Sequence, residues 1–306
     1  MITVQDMRFF TVLARSPTLV AAARSLGVTA SAVSQRLREL ESKVEVSLID
    51  RSTRHLNLTE EGRLLAERGH TVITEIEQIA DAISSRHSTV AGHLRIVASF
   101  GFGRRFVAPV VAQFRREHPN ATIELILSEN PLRLGVDSCD IMVHVGPLKD
   151  SRMIAKKLAP NRRVACASSE YIHRRGAPSS PIDLRRHDCI ALHENDEDVT
   201  LWRFTKAGSE PVGVRIQAVM CSNSGEIVHE WARAGLGIIV RSEWDVTDDL
   251  RSGHLIQVLA DWELPQADVT ALVTERSQST ARAKQFLHLL KASLAKPPWK
   301  LPVSAR

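Results

Sequence analysis

The chain has 306 residues, 43% hydrophobic and 25% charged, with a formal net charge of +5 and an isoelectric point near 9.2. That composition excludes a disordered or fibrous chain and suits about two globular domains. No run of 18 apolar residues occurs, and no basic start precedes an apolar core; neither a membrane span nor a signal peptide is expected, and the cytoplasm is the expected compartment.

Residues 3–15 read as a helix, with Val4, Met7, Phe10 and Ala14 at three- and four-residue steps. The stretch RSPT breaks it, and Thr18 caps a second helix over Leu19–Leu26, which Gly27 ends. Thr29 then caps a third helix reaching about Lys43, whose Val33, Leu37, Leu40 and Val44 form one buried stripe. Its opposite face carries Ser31, Gln35, Arg38 and Ser42, with Ser34 on the flank. A helix, a tight turn and a second helix make the unit whose second helix enters the DNA major groove. Small Ser and Ala allow close approach, Gln suits an adenine edge, and Arg suits a guanine edge or a phosphate. An ordinary helical hairpin with a solvated face is the alternative.

LIDRSTRHLNLTEEG follows, with Leu48, Leu56 and Leu58 apolar and Arg51 and Arg54 between them. It reads as a two-stranded wing with arginines at the tip, placed for a phosphate or a narrow minor groove. Thr59 caps a long helix of about 28 residues, with Glu60 and Glu61 in its first turn. Leu65, Val72, Ile76, Ile79 and Ile83 form a narrow stripe on it, of the kind that pairs with the same helix of a second chain. Packing on the chain's own body is the alternative.

Residues 84–93 form a polar hinge. Beyond them HLRIVAS, ATIELILS, DIMVHVG, RRVACAS and LGIIVR read as strands, and RRFVAPVVAQFRREHP and GEIVHEWARAG as helices. That alternation implies parallel sheets covered on both faces. The late strand DVTALVTE and helix ARAKQFLHLLKASL are expected to return to the first lobe, and KPPWKLPVSAR reads as an untethered tail.

Two stretches, MRFFTVLARSPTLVAAARSLGVTASAVSQRLRELE and LIDRSTRHLNLTEEG, resemble the DNA-binding domain of LysR-type transcriptional regulators. LRIVASFGFGRRFVAPVVAQFRREHP, DSRMIAKKLAPNRRVACAS and WARAGLGIIVRSEWDVTDDLRSGHLIQVL resemble their effector domain, most of all the branch with malate- and tartrate-responsive members. The resemblance implies an α/β protein in three parts. Residues 1–59 would be a winged helix-turn-helix and 60–88 a dimerising linker helix. Residues 89–306 would be a two-lobed domain similar to periplasmic binding proteins, with lobe I at about 92–161 and 268–297 and lobe II at about 162–267. It further implies homodimers or homotetramers that bind and bend double-stranded promoter DNA under control of a small metabolite, often an anion. Ser31, Ser34, Gln35, Arg38, Arg51 and Arg54 would then meet DNA. Three positions depart from the family: Val20 replaces a Ser or Thr near a phosphate, Ile49 replaces a Phe before the wing, and His144 stands where this branch commonly has Arg. If His144 faces the cleft, the charge there depends on pH.

Ligands of open α/β sheets bind beyond the carboxyl ends of strands, where loops meet helix N-termini. ASFGFGRR supplies Ser99, Phe100, Gly101, Phe102 and Gly103; Ser128 ends the next strand; CSNSGE supplies Ser222, Asn223 and Ser224. These residues and His144 are the candidate effector set, suited to a small carboxylate, with routine helix capping as the alternative. An enzyme is not expected. GFGRRF lacks the last glycine of a dinucleotide loop, HEWAR has Arg233 where a zinc helix needs a second His, and no nucleophile elbow occurs. Cys139, Cys166, Cys189 and Cys221 form no CxxC pair, so neither a metal nor a cofactor is expected. A thiol switch, a solute-binding module and a nonspecific DNA-architectural protein stay open as rival readings. Charge does not decide among them: residues 1–58 carry eight Lys/Arg against five Asp/Glu, and residues 59–90 three against six.

Overall fold

The computed structural model describes all residues except 15, 51–55, 86–89, 135–138, 149–152, 194–198 and 301–306, and leaves aside the side chains at 70, 74, 77, 78, 80–85, 133, 134 and 276. It divides into two compact units, residues 1–88 and 89–306. No helix among the described residues is long and apolar enough to cross a membrane.

The first unit opens with α1 (Val4–Ala14), α2 (Leu19–Leu26) and α3 (Ala30–Val44). Their ends follow from local chemistry. Thr18 accepts from the Ala21 N–H, Gly27 takes the left-handed conformation at φ 67°, and Thr29 accepts from the Ala32 N–H. Phe9, Phe10, Leu13, Ala22, Ala23, Val33, Leu37 and Leu40 bury the facing sides of the three helices. Strands β1 (Ile49–Asp50) and β2 (Asn57–Leu58) pair antiparallel as the base of the predicted wing. Ile49 joins the helical core, so its departure from the family pattern is one of packing. Arg51 and Arg54 lie outside the described residues. Glu41, itself buried, accepts from the Leu48 N–H and anchors the wing to α3.

Helix α4 (Glu60–Ser85) is 26 residues long. Its predicted stripe divides. Leu65 packs into the core of its own unit because the first turns of α4 lie against α1, where Gly69 faces Met7. Val72 is half-buried, Ile76 and Ile79 are exposed, and Ile73, outside the predicted stripe, is buried. The Ile83 side chain is outside the described set.

The second unit contains two five-stranded sheets. The first is built from β3 (Gly92–Ala98), β4 (Ala121–Leu127), β5 (Ile141–Val145), β6 (Ile154–Ala159) and a late strand described below. Between β3 and β4 run α5 (Phe100–Phe102), a π-helical turn (Gly103–Val107) and α6 (Ala108–Glu117) without interruption. The chain then crosses to the second sheet at β7 (Arg163–Ser168), followed by α7 (Ser169–Arg175) and β8 (Cys189–Leu192). A hairpin of β9 (Leu201–Phe204) and β10 (Val212–Arg215) precedes β11 (Ala218–Ser222), α8 (Gly225–Arg233), β12 (Ile238–Ser242), α9 (Glu243–Ser252) and β13 (Leu255–Val258). Strand β14 (Val269–Val273), α10 (Glu275–Ser279) and α11 (Ala281–Ser293) return to the first lobe.

Strand orders are β4-β3-β5-β14-β6 and β11-β8-β12-β7-β13. Both sheets are mixed, which corrects the expectation of parallel sheets. Strands β14 and β6 in one, and β7 and β13 in the other, run antiparallel to a neighbour. All four flank the two chain crossings between lobes, which reverse strand direction. Both faces of each sheet are covered: Ile238 and Ile239, adjacent in β12, enter different cores, as do Ile96 and Val97 in β3.

The segment expected as an untethered tail is tethered as far as Lys300. Trp299 is 1% exposed, its indole N–H donates to the Pro160 carbonyl at 3.3 Å, and its own carbonyl accepts from Thr247 Oγ1 at 2.7 Å. One large apolar ring among charged and Pro residues outweighs the polar signal of its neighbours.

Candidate functional site

On α3 the residues Ser31, Gln35, Arg38 and Ser42 are exposed and Ser34 is half-buried, forming one polar face opposite the core stripe. Ser34 returns a hydrogen bond to the Ala30 carbonyl, Ser31 shares one with Thr29, and Gln35 donates to Glu39 at 3.2 Å. The two arginines of the helix differ. Arg36 donates to the Gln5 carbonyl and lies 4.8 Å from the Phe9 ring centre, so α1 holds it. Arg38 has no partner among the described residues and stays available to an outside group. Val20 is also exposed and offers no hydroxyl.

In the second unit two small adjoining cavities of about 20 Å³ each lie between the lobes. Both are lined by Ser99, Glu129, Arg241 and Trp244. Phe100, Gly101, Asn223 and Ser224 complete one, together with Gly225 and Glu226; His144 lines the other. Six of the ten effector candidates therefore converge. The other four do not line the cavities. Phe102 is fully buried in the lobe I core, and Gly103 is packed so closely that an added methyl would displace the Leu127 side chain. Ser128 accepts from the Asn130 N–H, and Ser222 from the Ser224 N–H, each closing a local turn. Ser99 and Ser224 occupy N-cap positions without making the side-chain cap bond, which leaves helix-start N–H groups available. The π-helical turn just beyond Ser99 is a departure from α geometry that clusters at functional sites.

Sequence reading missed Glu129, Arg241 and Trp244. Arg241 is 5% exposed; its Nε donates to Asp245 at 2.7 Å, and its guanidinium lies so close to Gly225 that a methyl there would collide with it. Asp245 in turn faces His229, which bonds Asp249 at 2.7 Å. Burial alone would raise the Asp245 pKa, but Arg241 and His229 outweigh it and hold the carboxyl below its usual range. For His229 burial works against the charge, while Asp245 and Asp249 outweigh it and raise the pKa. His144 is buried, and its Nε2 lies 3.1 Å from the Pro147 carbonyl. Glu129 accepts from the Asn223 amide, a contact that spans the lobes. The Trp244 indole N–H has no hydrogen-bond partner among the described residues.

For the pair Cys166 and Cys189 the thiol-switch alternative meets a geometric obstacle. Cys166 and Cys189 lie on β7 and β8, which flank β12, so two strand spacings, roughly 9–10 Å, separate them and they face opposite cores. Burial pushes the Cys189 thiol up to about 12 and the Cys166 thiol higher, which removes the thiolate that exchange needs.

Comparison with known proteins is consistent across the chain. Residues 4–63 match the "Bacterial regulatory helix-turn-helix protein, lysR family" model, and residues 87–295 match the "LysR substrate binding domain" model. The Escherichia coli K12 transcriptional regulator DmlR is 34% identical over 291 residues, covering 95% of this chain and 94% of its own. The transcriptional activator TtdR of the same strain is 33% identical over 286 residues, covering 92% of each. The solved structure of CrgA, a LysR-type regulator from Neisseria meningitidis, superposes with a TM-score of 0.59 at 26% identity, covering 96% of this chain and 99% of the other. A helix-turn-helix followed by a two-lobed domain, matched over both parts, makes this chain a member of the LysR family of DNA-binding transcriptional regulators.

Proposed function

We infer that this regulator binds paired half-sites in promoter DNA and that a small carboxylate-bearing metabolite, seated between the two lobes of residues 89–306, alters that binding. The observation that carries the DNA part is the α3 face: four exposed polar side chains opposite a stripe with Val33, Leu37 and Leu40 buried, and Arg38 without a partner among the described residues, beside an arginine that α1 has taken up. On this reading Gln35 and Arg38 read base edges, Ser31 and Ser34 permit close approach, and Arg51 and Arg54 of the wing engage the backbone or minor groove. Val72, Ile76, Ile79 and Ile83 of α4 meet the same helix of a second chain, with dimers and tetramers as the resulting assemblies. In the effector domain, convergence of two helix starts with Ser99, Asn223 and Ser224 around Arg241 favours a carboxylate.

The experiment is selection of bound genomic fragments by the purified protein, followed by footprinting. A few sites with inverted half-sites a helical turn or more apart support the reading. Uniform recovery, with affinity falling steeply with salt on every sequence, sinks it in favour of an architectural role. On a footprinted operator, Ser99→Ala with Asn223→Ala is expected to abolish effector response and leave DNA affinity intact. An unchanged response removes the cleft assignment.

A further inference from the structure

The charges that line the cleft do not balance. Arg241 is matched by Asp245, and Glu226 is matched by Arg104 across the lobes. Glu129 lines both cavities, yet among the described residues its one partner is the neutral amide of Asn223. A simple carboxylate entering this cleft would bring a second negative charge beside one that no cation pairs with among the described residues. A simple amine would neutralise Glu129 but leave the donors unused. Those donors are the Ser99 hydroxyl and the helix-start N–H groups; Trp244, 94% removed from solvent and with an indole N–H that has no partner among the described residues, lines both cavities.

We propose that the cleft takes a small zwitterion, an amino acid of a few carbon atoms, with its ammonium group on Glu129 and its carboxylate on the donors around Ser99 and Trp244. The ligand satisfies both halves of the lining at once and adds no net charge. This inference rests on the effector reading above and narrows it: among carboxylate-bearing metabolites, those with an α-ammonium group are favoured over hydroxy acids and dicarboxylates of equal length.

The test is calorimetric titration of the full-length protein with matched ligands. Glycine is set against glycolate and acetate, alanine against lactate and propionate, and aspartate against malate; the remaining amino acids complete the panel. At least one amino acid is expected to bind, about tenfold or more tighter than its hydroxy and unsubstituted counterparts, as for a charge-assisted hydrogen bond. Glu129→Gln should erase that preference, bringing the matched ligands within about threefold. Trp244→Phe should weaken amino acid and hydroxy acid alike. Because Glu129 lies on a partly exposed loop, its variant is expected to fold, and an unchanged melting temperature checks this. Hydroxy acids binding the parent protein as tightly as amino acids, Glu129→Gln leaving the preference intact, or no amino acid binding at millimolar concentration would each overturn the proposal. Footprinting on the same preparation separates the two readings: a footprint without amino-acid binding sinks this inference alone.

Discussion

Two carboxylate networks give individual residues a measurable role. Asp6 caps α1 through Thr3 and accepts from Lys43 of α3 at 2.9 Å, tying the two helices together. Burial would raise its pKa, but the bonds from Lys43 and Thr3 outweigh this and hold it at about 2. A depressed carboxylate stabilises the fold above its unfolded pKa near 4, and that contribution is lost as pH falls toward 2. Asp6→Asn is therefore expected to weaken hydrogen-exchange protection of α1 and α3 at neutral pH by roughly 1–2 kcal/mol, discounted for the solvent-exposed Lys43 end. Parent and variant should converge near pH 2; a gap that persists there would show that the loss is steric. His229 has the opposite sign. Its folded pKa is raised, so its contribution is full below about pH 6.5 and disappears as pH rises through the folded value. Thermal melts of the second unit should lose stability over that alkaline range, and His229→Gln should flatten the profile. Equal slopes in parent and variant would remove Asp245 and Asp249 as the cause.

At the scale of elements, α8 and β12 meet where Gly225 lies against the Arg241 guanidinium. Gly225→Ala is expected to push that guanidinium off Asp245, abolishing effector response while DNA affinity holds; retained response would show that Arg241 relaxes freely. On α4, Ile76→Glu with Ile79→Glu should raise the dimer dissociation constant at least tenfold by sedimentation, because both apolar groups lie exposed on the single chain. Unchanged assembly would place the interface elsewhere. Local elements were legible because their signals are local. Thr18, Gly27 and Thr29 mark helix ends by their own hydrogen bonds, and α2 spans the predicted Leu19–Leu26. What escaped is non-local. Arg241 and Trp244 sit beside strand and helix residues with no motif around them, and only packing against residues about 80–145 positions away brings them to Ser99, Gly101 and Asn161. Phe102 looked like a pocket wall beside two glycines, but as the last residue of α5 it is buried in the lobe I core. Leu65 fitted the α4 repeat, but α1 covers it first.

At the scale of the effector unit, the C-terminal segment fastens the lobes to each other. Trp299 stacks edge-on with Phe102 and Phe106 of lobe I, at centroid distances of 5.9 and 4.8 Å, while Trp244 of α9 packs edge-on against the same two phenylalanines at 5.4 and 6.0 Å. The backbone beside it belongs to lobe II: Thr247 donates to the Trp299 carbonyl, and Arg251 to the carbonyls of Pro298 and Lys300. Lobe I therefore supplies the apolar socket and lobe II the polar clasp, with Arg104–Glu226 and Arg105–Asp248 as outer ties. Polar ties at a solvated edge contribute little each, whereas emptying the socket removes a whole indole from a packed core. Trp299→Ala should thus destabilise the second unit by about 3–5 kcal/mol in chemical denaturation. Thr247→Val, which leaves the indole in place, should cost about 1 kcal/mol. Termination after Pro298, which removes the indole together with the carbonyl that Thr247 bonds, should cost about 1 kcal/mol more than Trp299→Ala. Because the same aromatic cluster includes Trp244 of the cleft wall, the Trp299 variant should also loosen effector binding. Loss of stability with unaltered effector affinity would show that the clasp holds the lobes together without setting the shape of the cleft.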